Sequence, residues 1–226
     1  MDRVEGQQII TAEFMGTFFL VLMGCGAVAG GRSAAEISVV FGLIVMIMIY
    51  SFGNVSGAHF NPAVSVGFVV AGRMPARRLP IYLTAQFLGA LAAAALLLPA
   101  FPEAAGYGAV RPAEGIGPIA AGVYEFVFTF LLMLVILNVS TGHQEKGIMA
   151  GVAIGASVLI LALVGGPITG AAMNPARALG PAAVEGVWKP LAIYLVAPVL
   201  GAAAAAPFCS WIQRDQCCPT GPEVRK

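Results

Sequence analysis

The sequence predicts an all-α membrane protein with six transmembrane helices and two re-entrant half-helices, arranged as an inverted repeat of three spans plus three. Three observations predict it. The 226 residues are 59% hydrophobic and only 10% charged, where a soluble domain carries about 25% charged residues. Six apolar runs have the length needed to cross a bilayer. Finally, the stretch Ser56-Gly57-Ala58-His59-Phe60-Asn61-Pro62-Ala63-Val64 returns as Thr169-Gly170-Ala171-Ala172-Met173-Asn174-Pro175-Ala176-Arg177. In each copy Asn reads as an N-cap and Pro as the first helical residue, so a helix starts abruptly after non-helical backbone.

The elements follow in order. An apolar run from Ile9 to about Ala29 forms the first span. Glu13 interrupts it early and no small-residue cleavage site stands out, which reads as a retained helix rather than a signal peptide. The second span covers about Ile37 to Phe52. The first half-helix, within 61–71, is short enough to cover about half of a ~30 Å hydrocarbon core at about 1.5 Å per residue. A turn with Arg73, Arg77 and Arg78 closes it, and the third span runs from about Pro80 to Leu98. The Pro/Gly-rich stretch 99–118 is the longest connection and the midpoint of the chain. Ala120–Val139 and Gly147–Val164 form the fourth and fifth spans, the second half-helix lies within 174–184, and Pro190–Ile212 is the sixth span before a polar tail, 213–226.

The two halves repeat within one channel-sized domain, repeat one over about 9–98 and repeat two over about 119–212. Glu13-Phe14-x-x-Thr17-Phe18 matches Glu125-Phe126-x-x-Thr129-Phe130, and Ala85-Gln86-Phe87-Leu88-Gly89-Ala90 matches Ala197-Pro198-Val199-Leu200-Gly201-Ala202. Both pairs stand 112 positions apart, and Asn61 and Asn174 stand 113 apart. Three markers in one order at nearly one offset mean duplication. An odd number of full spans per unit inverts the second copy, as in many transport proteins. With both termini cytoplasmic, that side holds Arg3, Arg73, Arg77, Arg78, Lys146, Arg214, Arg225 and Lys226, against Arg32, Arg111 and Lys189 opposite. The excess of positive charge predicts cytoplasmic termini.

Composition also excludes. A net charge of +1 offers no field for nucleic acid or an anionic partner. Cys25 and Cys209 read as small packing residues, and Cys217-Cys218 as an ordinary tail pair with S-palmitoylation the alternative. His59 has no Cys, Asp or second His beside it, so no metal site is expected, and His143 reads as a solvated loop residue. No catalytic constellation and no cofactor motif is present, which argues against an enzyme.

In lipid, non-helical backbone survives only where it is buried in protein or lines a water-filled cavity. The lead-ins Gly57-Ala58-His59 and Gly170-Ala171-Ala172 are expected to line a pore with their carbonyls. The inverted repeat brings the two half-helix N-termini together, so positive dipole ends converge with the amides of Asn61 and Asn174. That combination offers donors to a passing oxygen and opposes cations.

Two Asn-Pro-Ala motifs (Asn61, Pro62, Ala63 and Asn174, Pro175, Ala176), in register with a six-span repeat and with Arg177 after the second, resemble the aquaporin and glycerol-facilitator family over about Ile10 to Ser210. The resemblance implies a passive channel that excludes protons and ions, a homotetramer with one pore per subunit, and a plasma or bacterial inner membrane. It implies a selectivity constriction at Phe41, Ala162, Ala171 and Arg177, where the water-selective pattern has His in place of Ala162 and a small polar side chain or Cys in place of Ala171. It also implies that Glu13 and Glu125 are structural carboxylates holding the two lead-ins. Ala178 and Ala182 depart from the glycerol-facilitator pattern of Asp and a basic residue. With Tyr194-Leu195 they are similar to the nodulin-like and related bacterial subgroup, which is associated with glycerol, urea and metalloid hydroxides such as arsenous, boric or silicic acid. The alternative is a proton-coupled secondary transporter using Glu13 and Glu125 as relays.

Overall fold

A computed structural model describes residues 3–140 and 144–213, with the side chains of Arg3 and of 144–147 excepted. His143, Cys217 and Cys218 lie outside the described residues. The chain runs α1 (Arg3–Ala29), α2 (Ala34–Ser56), α3 (Pro62–Val70), a 3-10 turn at Ala76–Arg78, α4 (Leu79–Ala100), α5 (Pro118–Val139), α6 (Gln144–Thr169), α7 (Pro175–Glu185) and α8 (Leu191–Gln213). Six of these, α1, α2, α4, α5, α6 and α8, are long and apolar enough to span a bilayer. The half-helices α3 and α7 have 9 and 11 residues.

Two spans end later than their hydropathy suggested. Helix α2 starts at Ala34, where Ser33 and Glu36 form a capping box: Glu36 N–H donates to Ser33 Oγ at 3.3 Å, and Ser33 N–H to Glu36 Oε2 at 2.9 Å. It then runs past Phe52 to Ser56, and α6 likewise runs past Val164 to Thr169 through Pro167. The stops are set by Gly57 and Gly170, both at φ +84°, a conformation that glycine adopts without a Cβ clash. The ends were legible as caps rather than as a fall in hydropathy.

A few polar groups are buried within a largely apolar core, and many large apolar side chains face outward. Glu13, Thr17, Gln86, Glu125 and Thr129 are fully buried, and Arg177 is buried too. Val123, Leu131, Ile160 and Leu163 are exposed, a face suited to lipid tails and costly in water. Close helix crossings hold this bundle. A Cβ on Gly89 of α4 would sit 2.4 Å from the Phe14 carbonyl oxygen of α1, and one on Gly201 of α8 would sit 2.3 Å from that of Phe126 in α5. Between α2 and α6, Gly42 and Gly155 meet in the same way, at 2.7 Å and 2.6 Å from each other's carbonyl oxygens. These small residues serve contacts within the chain, where lipid provides no hydrophobic drive and backbone approach does the packing.

The half-helices cross over between the repeats. Helix α3 of the first packs on α8 of the second, and α7 of the second packs on α4 of the first. Each repeat is thus completed by the other's half-helix, and the two N-termini are brought to the centre. Cys25 is a buried free thiol; Cys209 is likewise fully buried in the core, and it is disulfide-bonded.

Candidate functional site

The two lead-in loops have one backbone design used twice. Besides Gly57 and Gly170, four non-glycine residues lie in the left-handed region: Ala58 at φ 54° and Phe60 at 50°, then Ala171 at 43° and Met173 at 52°. Such residues cost roughly 1–3 kcal/mol each and persist only when their surroundings over-determine them. Here a buried carboxylate does so. Glu13 Oε1 accepts from Ser56 Oγ at 2.6 Å and from His59 N–H at 3.0 Å, and its Oε2 accepts from Phe60 N–H at 2.8 Å. Glu125 Oε1 accepts from Thr169 Oγ1 at 2.7 Å and from Ala172 N–H at 3.0 Å, and its Oε2 accepts from Met173 N–H at 2.8 Å.

A tyrosine completes each loop: Tyr82 Oη donates to the Ser56 carbonyl and Tyr194 Oη to that of Thr169, both at 2.6 Å. The copies differ in what backs the carboxylate. Gln86 Nε2 donates to Glu13 Oε2 at 2.8 Å and to Ser65 Oγ at 3.0 Å, while Pro198 stands at the matching position of the second repeat. His59 has Nδ1 3.0 Å from Ser65 Oγ and its ring stacked on Phe68.

At the centre the two Asn side chains lock the repeats together. Asn61 Oδ1 accepts from Ala63 N–H at 2.9 Å, and Asn174 Oδ1 accepts from Ala176 N–H at 3.0 Å, so each caps its own half-helix. Asn61 Nδ2 donates to the Met173 carbonyl at 2.8 Å, and Asn174 Nδ2 donates to the Phe60 carbonyl at 2.9 Å. Each amide nitrogen carries two hydrogens, so one on each remains for a solute. Pro62 and Pro175 occupy the first helical position of α3 and α7, followed by Ala63 and Ala176, both fully buried.

One cavity of about 750 Å³ runs past this centre. At one end it is lined by Tyr50, Ser140 and Ile148, at the centre by Asn61 and Asn174, and at the other end by Phe41, Ala162, Ala171 and Arg177. Gly57, Ala58, His59 and Ala172 also line it, whereas Gly170, Glu13 and Glu125 do not. Arg177 lies against the wall: its Cζ is 5.2 Å from the centre of the Phe41 ring, and Nη1 donates to the Gly108 carbonyl at 2.6 Å. A cation over an aromatic face gains about 0.5–2 kcal/mol, so Phe41 and Gly108 together fix the guanidinium.

Sequence reasoning missed several parts. Tyr82 and Tyr194, and Ser56 and Thr169, repeat at the offset that exposed the duplication, so the signal for them was present. Gly108 and Glu185 have no counterpart in the other repeat and no local signature. Gly24 is a third case: a Cβ there would meet Phe41 Cε1 at 2.1 Å, so the bare backbone of α1 is what leaves the ring its place. Among the described residues no group of His, Cys, Asp and Glu could hold a metal ion.

The profile of the major intrinsic protein family matches residues 1–208. The chain belongs to that family. Similar major intrinsic proteins include the putative aquaporin NIP4-1 of Arabidopsis thaliana, 46% identical over 203 residues that cover 86% of this chain and 70% of the relative. Aquaporin NIP1-1 of Oryza sativa subsp. japonica is 44% identical, with 88% of this chain and 72% of that protein covered. Nodulin-26 of Glycine max is 40% identical over 88% of this chain and 75% of its own length. Among solved structures, the aquaglyceroporin from Plasmodium falciparum superposes with a TM-score of 0.81 at 25% identity, covering 97% of this chain and 99% of that one. As a major intrinsic protein the chain is an integral membrane channel for water and small solutes, not an enzyme.

Proposed function

We propose that this channel passes water together with uncharged solutes of glycerol size, urea and metalloid hydroxides such as arsenous, boric or silicic acid among them, and that Phe41, Ala162, Ala171 and Arg177 decide which of them pass. The observation that carries this reading is the composition of one end of the cavity, where two alanine side chains face an aromatic wall and one fixed guanidinium. Two methyl groups leave width that His and a polar side chain would fill. Phe41 supplies an apolar wall for a solute's carbon skeleton, and Arg177 supplies donors for its hydroxyls.

Ion exclusion rests on the same geometry. The N-terminal ends of α3 and α7 meet at Asn61 and Asn174, and their positive ends oppose a cation at the centre. A neutral solute exchanges its water for the free hydrogens of Asn61 and Asn174 and for the carbonyls of Gly57, Ala58, His59, Ala171 and Ala172, the lead-in residues that line the cavity. A proton-coupled transporter finds no support: Glu13 and Glu125 are fully buried, spend both oxygens on loop donors, and do not line the cavity. They act as structural carboxylates. The arrangement in the cell is a homotetramer in a plasma or bacterial inner membrane with both termini cytoplasmic, a reading supported by the positive charge on the side of Arg73, Arg77 and Arg78.

The test is Ala162→His, assayed for water and glycerol permeability in the same proteoliposomes. The imidazole fills the space opposite Phe41, so glycerol permeability falls about tenfold or more while water falls far less, the scale on which tight apolar sites discriminate by size. Equal losses for both would remove Ala162 from the constriction.

A further inference from the structure

We infer that Glu185 is a positioning residue for the constriction, acting on Arg177 through the external loop that precedes α5; this rests on the reading of Arg177 as a selectivity residue. Arg177 lies near the start of α7 and Glu185 at its end. Glu185 Oε1 accepts from Tyr107 N–H at 2.7 Å and from Ala109 N–H at 2.8 Å. Those two donors flank Gly108, the residue whose carbonyl takes the Arg177 hydrogen bond at 2.6 Å. One half-helix therefore holds the loop at both of its ends, by an acceptor at its C-terminus and a donor near its N-terminus.

The arrangement leaves the Gly108 carbonyl little freedom. Gly108 sits at φ +93°, and a Cβ on it would lie 2.9 Å from Cys25 Sγ, so α1 backs the loop at this residue. The Glu185 side chain is only 10% exposed, which makes the two backbone bonds stronger than they would be in water. Arg111, by contrast, is 59% exposed and reaches Glu185 Oε2 only at 3.5 Å, a contact worth little. Without the Glu185 acceptor, Tyr107 and Ala109 lose their partner and the loop lifts. The guanidinium then loses its fixed carbonyl, leaves the wall beside Phe41 and enters the opening.

The experiment measures water and glycerol permeability by stopped-flow in proteoliposomes of the full chain. The variants are Glu185→Met, Glu185→Ala, Glu185→Gln, Arg111→Ala, Arg177→Val and Arg177→Val combined with Glu185→Met. Methionine keeps the length of the side chain and removes the acceptor, so it stands in should the alanine variant fail to fold. Glu185→Met lowers the glycerol-to-water ratio about fivefold, as a guanidinium displaced into the opening excludes the larger solute first. Glu185→Gln keeps an oxygen for both N–H groups and restores the wild-type ratio, and Arg111→Ala leaves it unchanged. Arg177→Val alters the ratio by itself, and adding Glu185→Met to it changes nothing further, because the two residues act in series.

Three results overturn the proposal: a wild-type ratio in Glu185→Met, the same shift in the presence and absence of Arg177, or a Glu185→Gln variant as impaired as Glu185→Met. A wild-type ratio in Arg177→Val alone overturns the constriction reading itself, and the proposal with it.

Discussion

Replacing Glu13 with alanine is expected to cost the protein most of its folded population. Four donors point at that carboxylate: Ser56 Oγ, His59 N–H, Phe60 N–H and Gln86 Nε2. In the variant each is left buried without a partner, at about 1–3 kcal/mol apiece, against a total stability of roughly 5–15 kcal/mol. The left-handed turns at Ala58 and Phe60 lose what holds them at the same time. Glu13→Gln is the informative partner, because its amide has one oxygen instead of two and must turn a donor toward the loop. It should be destabilised by about half as much and still conduct water when folded, with no response to a proton gradient. Thermal unfolding of the purified protein, paired with vesicle permeability, checks both. A Glu13→Gln variant as stable as wild type but dead to solute would transfer the residue from scaffold to mechanism.

Gly24→Ala is expected to close the constriction to larger solutes from behind. The added methyl would lie 2.1 Å from Cε1 and 2.4 Å from Cζ of Phe41, far inside van der Waals contact. These are ring-tip atoms, free to swing, whereas α1 is held at Gly89 by the Phe14 carbonyl. The ring therefore yields toward the cavity and toward Arg177, 5.2 Å away. Glycerol permeability should drop about tenfold relative to water, a discrimination that one methylene supplies in a tight apolar site. A loss of water and glycerol in equal proportion would mean that α1 shifted instead and that Phe41 is not set by Gly24.

How much of this was legible in the sequence depends on whether a feature is local or made by tertiary approach. The six spans follow from apolar runs with few charges, and the half-helices from Asn-Pro at a helix start; both are local. The pairing of Glu13 with Glu125 followed from the repeat, which also carried Ser56 with Thr169 and Tyr82 with Tyr194, although those pairs look like ordinary polar or aromatic residues until the loops are folded. The four positions proposed for the constriction came from family resemblance and spacing, and all four line the same cavity. Gly108, Glu185 and Gly24 could not be read at all. Glu185 looks like a solvated residue at a helix end, and its partners lie 76 and 78 positions away. Gly24 looks like any small residue in a membrane helix, and its significance is the ring placed behind it by another helix. Helix ends were misjudged for a related reason: a cap such as Gly57 stops a helix where hydropathy gives no sign.

The central claim is that this chain is a passive pore for water and slightly larger neutral solutes. It is tested most directly by osmotic swelling of proteoliposomes facing water, glycerol, urea and arsenous acid in turn, with and without an imposed proton gradient. The account predicts flux of each solute above that of empty vesicles, a low activation energy, and rates that do not change when the gradient is collapsed. Solute entry that follows the proton gradient, or water flux with complete exclusion of glycerol, urea and arsenous acid, would contradict it.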